Sequence, residues 1–310
     1  LTLLPYIDVT NEVKTKPTQH SVKELRSIGI QPDILLCRGR NPINQAMKNK
    51  LALFTNVSND SVFSAVDAKS IYDIPILFKE QKIDDCIIKN LGIKSKKLNL
   101  KPWNDYRNKE LKCKKTVKVA MIGKYVDLVD SYKSLNEALY HAGVLNSRIV
   151  EITYLDSEKI TLKNIKHLSS MNAILVPGGF GNRGIEGKIL AAKFAREQNI
   201  PYLGICLGMQ ISVIEYARNV LKLKNANSTE FNIKTNNPVV ALVEEWKDRS
   251  GNKIIADKNN LGGTMRLGSQ ECLIKKDSLV YKMYKKLNIT ERHRHRYEVN
   301  GNLVSHFNRS

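Results

Sequence analysis

The chain has 310 residues, 42% of them hydrophobic, and a formal net charge of +20. This length and apolar content suit two globular domains, and no apolar run is long enough to cross a bilayer. The lysines are scattered rather than gathered in a stripe interleaved with aromatic residues, so we expect no nucleic-acid partner and no membrane partner.

The cysteines indicate where the protein works. They are far apart, odd in number and form no Cys-x-x-Cys pair, which argues against a disulfide framework and predicts a reducing, cytoplasmic setting. They are Cys37, Cys86, Cys113, Cys206 and Cys272.

The first informative stretch is Lys-Thr-Lys-Pro-Thr-Gln-His-Ser at residues 14–21. We expect Thr18 to cap a helix that ends at Gly29. Ammonium groups, hydroxyls and free N–H groups at a helix N-terminus favour phosphate binding. A capped surface helix with solvated lysines fits the same spacing, so the pattern alone leaves both interpretations open.

The rest of the N-terminal region alternates between strands and helices, which indicates an α/β domain. We predict strands at 34–37, 51–57 and 62–66, and the first of these ends at Arg38. We predict helices at 46–50 and at 70–92. Lysine- and asparagine-rich sequence then predicts a boundary, which divides the chain into a domain at 1–100, a linker at 101–116 and a domain at 117–310.

The second region predicts a doubly wound sheet, in which ligands bind beyond the carboxyl ends of the strands. The predicted strands are 117–123, 149–155, 173–176 and 202–205, and the predicted helices are 132–141, 162–168 and 185–198. Beyond residue 221 we expect shorter, antiparallel strands at 239–243, 273–274 and 291–299, a helix at 279–286 and a mobile glycine-rich stretch at 259–268.

Cys206 lies at the most informative point of the chain, between Gly204 and Gly208. An apolar strand precedes it, and a helical pattern follows from residue 209 to 221. This arrangement is typical of a nucleophile elbow, in which flanking glycines allow a tight turn that displays the side chain between them. The helix dipole would also favour the reactive thiolate. The alternative is an ordinary buried cysteine.

A pair of glycines and a pair of histidines are two further candidates for site residues. Gly178 and Gly179 follow a neighbouring strand, so their N–H groups are candidates for an oxyanion hole, although a plain turn would also explain them. His293 and His295 lie two residues apart and would face one side of a strand. No partner at ligand spacing accompanies them, so we expect no metal there.

The segments Gly-Ile-Cys-Leu-Gly-Met-Gln at 204–210 and Pro-Gly-Gly-Phe-Gly at 177–181 resemble the elbow and oxyanion loop of class I glutamine amidotransferases. Residues 14–25, 225–231, 261–268 and 291–300 extend the likeness, so that the chain resembles the CTP synthase family along nearly its whole length. The resemblance implies the C-terminal part of a synthetase α/β domain followed by a flavodoxin-like, doubly wound amidotransferase domain.

The resemblance also implies a reaction. Family members are ligases of pyrimidine nucleotide biosynthesis that convert UTP to CTP, using ATP and magnesium to phosphorylate the uracil 4-oxygen and glutamine-derived ammonia to displace that phosphate. GTP would act as the allosteric activator through a lid at residues 262–268, CTP as an inhibitor, and the full-length protein would form a homotetramer.

The resemblance assigns roles to particular residues. Cys206 would form the glutamyl thioester, with its oxyanion held by the backbones of Gly179 and Leu207, while Arg296 suits the α-carboxylate of glutamine and Glu230 its α-amine. The implied glutamine-binding residues are Gly179, Leu207, Gly208, Met209, Gln210, Glu230 and Arg296. The implied UTP- or CTP-binding residues are Lys14, Thr15, Lys16, Pro17, Thr18, Gln19 and Lys50. The implied ATP-binding residues are Arg38, Asp67 and Ala68.

The sequence departs from the family pattern at both ends. The family's phosphate-binding loop and magnesium-binding acidic residues find no counterpart, and no Gly-x-x-x-x-Gly-Lys-Ser/Thr occurs. The family's catalytic His-x-Glu segment is also missing, since His306 precedes Phe307 and Asn308. We therefore expect a fragment that lacks both parts and is nearly inactive in both half-reactions, because the thiol would lack its base.

Three other interpretations stay open at this point. One is another class I amidotransferase or a γ-glutamyl hydrolase, which the segment at residues 14–19 disfavours. The second is a degenerate, non-catalytic remnant that only binds partners or assembles with subunits. The third, a basic nucleic-acid-binding protein, would show steeply salt-dependent binding.

Overall fold

A computed structural model describes residues 1–124, 129–242, 245–247, 253–255 and 265–301. The chain divides into two compact units, Leu1–Lys112 and Cys113–Ser310. Within the described ranges, no helix is long and apolar enough to cross a membrane.

Unit 1 is built on a three-stranded parallel sheet in the order β1-β4-β5. Its core contains Leu35, Leu51 and Val62, which come from two strands and the helix between them. Its strands are β1 (Thr2–Leu3), β2 (Tyr6–Ile7), β3 (Glu12–Val13), β4 (Leu35–Gly39) and β5 (Val62–Val66), and its helices are α1 (Lys16–Ser27), α2 (Gln45–Thr55), α3 (Ile74–Glu80), α4 (Ile83–Leu91) and α5 (Lys101–Leu111).

The strand predicted at 51–57 is wrong, because this apolar run continues helix α2. Asn44 caps the helix by accepting a hydrogen bond from the Met47 amide at 2.9 Å. The helix ends where Asn56 adopts a left-handed conformation, with φ 54°. Leu51 lies fully buried on the inner face of α2, so a helical rather than an alternating pattern satisfies its burial.

The predicted capping role of Thr18 is also wrong. Helix α1 begins at Lys16, and Thr15 takes the cap position without a side-chain capping bond. The Thr18 hydroxyl is buried and donates to the Leu3 carbonyl at 3.0 Å. Thr18 therefore ties α1 to strand β1.

Two other segments of unit 1 differ from expectation. The single helix predicted at 70–92 is split into α3 and α4 by Lys82, whose φ is 59°. Residues 101–111, expected in a linker, form α5 instead, because polar side chains anchor this lysine-rich segment. The Trp103 indole donates to the Tyr72 carbonyl at 2.6 Å, and Arg107 Nε donates to Asp73 Oδ1 at 2.7 Å.

Unit 2 contains a four-stranded parallel sheet in the order β7-β6-β8-β9, the flavodoxin-like arrangement that the sequence predicts. Its strands are β6 (Lys115–Gly123), β7 (Arg148–Asp156), β8 (Ala173–Val176), β9 (Tyr202–Gly204), β10 (Asn227–Ser228), β11 (Pro238–Leu242), β12 (Glu245–Lys247), β13 (Lys253–Ile255), β14 (Arg266–Leu273), β15 (Asn288–His295) and β16 (Tyr297–Val299). Its helices are α6 (Lys133–Leu145), α7 (Ile185–Glu197), α8 (Leu207–Asn219) and α9 (Leu279–Tyr284).

Both faces of this sheet are covered, as the buried apolar residues of its central strands β6 and β8 require. In strand β6, Val119 and Met121 pack with residues of α6, whereas Ala120 and Ile122 pack with residues of α7. Alternate residues at 119–122 therefore serve two separate cores, which is why this part of the strand has no polar face.

The later strands form smaller sheets. Strands β14 and β15 form an antiparallel hairpin, and β10, β11 and β16 form a mixed sheet. The strand predicted at 291–299 is interrupted at Arg296, because its first part pairs with β14 and its last part pairs with β11. The helix predicted at 162–168 is a 3-10 turn at Ile165–Ser170.

Candidate active site

Cys206 occupies the turn between strand β9 and helix α8, as the glycine spacing predicts. Its φ is 53° and its ψ is −106°, a backbone conformation that side-chain-bearing residues rarely adopt. A Cβ added at Gly204 would lie 2.4 Å from the Gly208 carbonyl carbon, and one at Gly208 would lie 2.0 Å from the Val176 oxygen. The two glycines are therefore required by close backbone packing, which holds the cysteine in its turn.

The Cys206 thiol is only partly exposed and is held mainly in its neutral form. Its Sγ donates to the Arg294 carbonyl at 3.7 Å. Burial raises the pKa of the thiol, the charge of Glu230 raises it further, and the hydrogen bond from the Leu207 backbone N–H lowers it. The helix N-terminus thus favours the thiolate as the sequence predicts, but burial outweighs it and the net direction is upward.

The glycine loop after β8 lies directly beside the thiol. A Cβ at Gly178 would lie 3.4 Å from Cys206 Cβ, and one at Gly179 would lie 3.5 Å from the Leu207 side chain. The Leu207 N–H already points at the sulfur. Backbone N–H groups next to a nucleophile can stabilise an oxyanion, and the absence of a side chain at Gly179 leaves room for one.

The resemblance assigns two opposite charges to this position. Glu230 Oε1 accepts a hydrogen bond from the Gly181 N–H at 2.9 Å, so its carboxylate faces the glycine loop. Arg296 Nε is buried and, among the described residues, has no hydrogen-bond partner. Tyr297 lies near both, since burial and Glu230 raise its pKa while Arg296 lowers it. A carboxylate and a guanidinium that both act on Tyr297 suit the amine and carboxylate of an amino acid.

The other residues that the resemblance places at this site differ in how they can contribute. Gln210 is buried and its Nε2 donates to the Tyr297 carbonyl at 2.8 Å. The Gly208 N–H is used within the turn, where it donates to the Ile205 carbonyl at 2.9 Å. Met209 is exposed on the first turn of α8. The structure thus brings Gly179, Leu207 and Gln210 together around Cys206.

Sequence reasoning missed Lys124 and Arg294. The Lys124 ammonium donates to the carbonyls of Phe180 and Gly181, and so holds the glycine loop. The position of Lys124 directly after strand β6 is a sequence signal for a site residue, because ligands bind at the carboxyl ends of the strands in this type of sheet. Arg294 contributes a backbone carbonyl, for which side-chain patterns give no signal.

In unit 1, the residues assigned to ATP lie at the carboxyl ends of the parallel strands. Arg38, near the end of β4, pairs with Asp67, directly after β5, at 2.6 Å. Ala68 is the next residue along the chain. This ion pair joins two of the positions that the resemblance assigns to ATP.

Two of the three lysines assigned to UTP act on one carboxylate. Lys14 forms an ion pair with Glu12, and Lys50 acts on the same carboxylate. The hydrogen bond from Lys14 is the main cause of the lowered pKa of Glu12, with Lys50 adding to it. The remaining residues of this segment, 16–19, form the first turn of α1. The N–H groups of Lys16 and Thr18 lie where a helix offers no internal partner, whereas Pro17 has no N–H and Gln19 donates to the Thr15 carbonyl at 3.2 Å.

Other assigned positions fall partly or wholly outside the described residues. Residues 262–264 of the expected lid and His306 belong to these. In the ranges that the structure describes, no cluster of His, Cys, Asp or Glu is arranged to hold a metal ion.

The sequence matches two protein-family models, and the chain is similar to a solved structure. The family model for the CTP synthase N-terminus matches residues 1–93, and the family model for class-I glutamine amidotransferases matches residues 127–308. The chain is similar to the glutaminase domain of Trypanosoma brucei CTPS, solved with bound acivicin. The two share 38% sequence identity over 62% of this chain and 72% of that chain, with a TM-score of 0.54.

The electrostatic arrangement predicts how the thiol responds to Glu230. In Glu230→Gln, loss of the negative charge removes one cause of the raised Cys206 pKa, so the thiolate forms at lower pH. The rate of Cys206 alkylation by iodoacetamide, a neutral reagent followed by intact mass, should therefore rise at lower pH than in the parent chain. Cys37 should not compete, because burial raises its pKa to about 11.

Glu186→Gln provides the matched control, since Glu186 is exposed and pairs with Arg218. Its alkylation profile should follow the parent, and Cys206→Ser identifies the reacting sulfur. A Glu230→Gln profile that coincides with the parent, or moves to higher pH, would contradict the electrostatic account.

Proposed function

The chain belongs to the CTP synthase family, and on that premise we propose that Cys206 releases ammonia from glutamine for the ATP-dependent amination of UTP to CTP. The observation that carries this proposal is the turn at Cys206, held between two closely packed glycines beside a glycine loop. Both features serve acyl transfer: the turn presents the sulfur, and the adjacent backbone receives negative charge.

The proposed glutaminase step begins when the Cys206 thiol loses its proton. The sulfur attacks the side-chain amide carbon of glutamine, and the oxygen becomes negatively charged opposite the N–H groups of Gly179 and Leu207. The C–N bond then breaks, and the proton lost by the thiol ends on the nitrogen, so that ammonia leaves and a glutamyl thioester remains. Water then cleaves the C–S bond, which yields glutamate and returns a proton to the Cys206 sulfur. Because burial raises the thiol pKa, deprotonation is the step that needs most assistance.

Recognition of glutamine is assigned to the two opposite charges of the site. Arg296 binds the α-carboxylate, and Glu230 binds the α-amine. The unpartnered Arg296 Nε supports this assignment, since a buried guanidinium donor is costly unless a ligand completes its hydrogen bonds. The interruption between β15 and β16 leaves Arg296 outside both ladders, directly before Tyr297, whose carbonyl accepts a hydrogen bond from Gln210 of helix α8.

Unit 1 is proposed to bind the nucleotides. The cations of Lys14, Lys16 and Lys50, together with the start of α1, suit the triphosphate of UTP, or of CTP as an inhibitor. Arg38, Asp67 and Ala68 are proposed to contact ATP. Magnesium, GTP as activator, a tetrameric assembly, a cytoplasmic location and a place in pyrimidine nucleotide biosynthesis are carried over from the family as further parts of this proposal.

Acivicin provides a direct test of the glutamine site. It is an α-amino acid with an electrophilic chlorodihydroisoxazole ring, from which a thiolate displaces chloride as the C–S bond forms. We expect saturable, stoichiometric labelling of Cys206. In Arg296→Met the inhibition constant KI should rise about 10- to 100-fold, as expected for a lost hydrogen bond between charged groups. Intact mass and peptide mapping measure both quantities.

Arg292→Met is the matched control, because Arg292 is exposed on the preceding strand, β15, and its substitution should leave KI unchanged. Equal KI values for Arg296→Met and the parent would refute the assignment of Arg296. Glutamine turnover, measured on the same preparation, tests the expectation of impaired activity: rapid labelling followed by normal turnover would contradict it.

Protection from acetylation tests the nucleotide site. Bound UTP should cover Lys14, Lys16 and Lys50, so their acetylation should slow about tenfold at a UTP concentration ten times its Kd, by mass action. Quantitative peptide mass spectrometry gives the rate for each lysine, and the exposed Lys94 and Lys96 of the same unit serve as internal references. Unchanged rates at all of these lysines would favour a glutamyl hydrolase without a nucleotide site.

A further inference from the structure

Strand β15, which contacts Cys206 through Arg294, carries two histidines that form a chain of hydrogen-bonded side chains with Cys272 of β14. We call these three residues, Cys272, His293 and His295, the imidazole chain. Cys272 Sγ lies 3.5 Å from His293 Nε2. His293 Nδ1 lies 2.9 Å from His295 Nε2, and His295 Nδ1 lies 3.1 Å from the Tyr297 carbonyl oxygen. The chain therefore runs from the β14–β15 hairpin to the first residue of β16.

The last contact fixes the direction of the hydrogen bond between the two histidines. A carbonyl oxygen only accepts, so His295 Nδ1 must carry a proton. In a neutral ring, His295 Nε2 then accepts from His293 Nδ1–H, which leaves His293 Nε2 as an acceptor facing the Cys272 thiol, and that thiol also lies 3.8 Å from the Gln270 carbonyl oxygen. Burial is the main cause of the lowered pKa of both histidines, and the positive charge of Arg266 adds to it, which favours these neutral forms.

The Tyr297 carbonyl joins the imidazole chain to the elbow helix. It accepts from His295 on one side and from the buried Gln210 Nε2, at 2.8 Å, on the other. Arg296, immediately before Tyr297, supplies the proposed carboxylate ligand. Arg294, between the two histidines, gives its carbonyl to the Cys206 thiol at 3.7 Å. The strand segment that carries the histidines thus also carries two contacts of the site.

We infer that His295, oriented by His293, is a positioning residue for glutamine binding. Its Nδ1–H holds the Tyr297 carbonyl, and so fixes Arg296 and Gln210 relative to Cys206. Neither histidine contacts the sulfur, so the effect falls on ligand affinity rather than on the reactivity of the thiol. This inference rests on the proposed glutaminase function.

A pair of similarly sized substitutions separates the hydrogen bond from packing. In His295→Asn, the amide can still donate to the Tyr297 carbonyl. In His295→Leu, no donor remains. For acivicin, we expect a KI within about twofold of the parent for Asn and about 3- to 10-fold higher for Leu, the range for one lost hydrogen bond. The maximal labelling rate should change less than twofold in both.

Two further measurements support the comparison. His295→Gln is polar but moves its N–H away from the Nδ1 position, so it should behave like Leu and replaces that variant if Leu prevents folding. Nitrogen-15 NMR of the parent chain should show His295 as the Nδ1–H tautomer. His167→Leu, at an exposed histidine of the same unit, is the control and should leave KI unchanged.

The outcomes distinguish this inference from the function on which it rests. An unlabelled parent chain would overturn the proposed glutaminase and the inference together. Normal labelling of the parent with an unchanged KI in His295→Leu would overturn the inference alone. A KI for His295→Asn as high as that for His295→Leu would do the same, as would an Nε2–H tautomer at His295.

Discussion

The site depends on one backbone conformation, the positive φ of Cys206. A side-chain-bearing residue in such a region costs about 1–3 kcal/mol, which the surrounding structure must offset. Here the offset comes from packing, because Gly204 and Gly208 allow strand β9, helix α8 and strand β8 to approach within distances that no Cβ would permit. The strained turn is thus a consequence of how the central sheet and its helix meet.

This turn determines the remaining chemistry of the site. Since helix α8 starts at Leu207, its first free N–H reaches the sulfur, and the glycine loop from the neighbouring strand lies alongside. Burial nevertheless keeps the thiol neutral at rest, with Glu230 adding to the effect. A neutral resting thiol is protected from unselective reactions, and the proposed substrate would bring its own positive amine to Glu230, reducing the carboxylate's effect on the thiol.

The sequence predicts the features of this arrangement that arise from local patterns, but not those that arise from contacts between distant parts of the chain. The elbow and the order of the main sheet follow from local patterns, namely glycines at fixed spacing and apolar strands that alternate with helices. The run at 51–57 was mistaken because helix α2 and a buried strand both present continuous apolar residues, and only the Asn44 cap distinguishes them. Contacts such as the Arg294 and Tyr297 carbonyls arise from strand pairing across the chain, which no local pattern reports.

The most direct test is a crystal structure of the chain after reaction with acivicin. The account predicts a covalent bond from Cys206 Sγ to the ring, with the α-carboxylate at Arg296 and the α-amine at Glu230. An adduct on another cysteine, or one at Cys206 whose carboxylate and amine lie away from these two side chains, would contradict it.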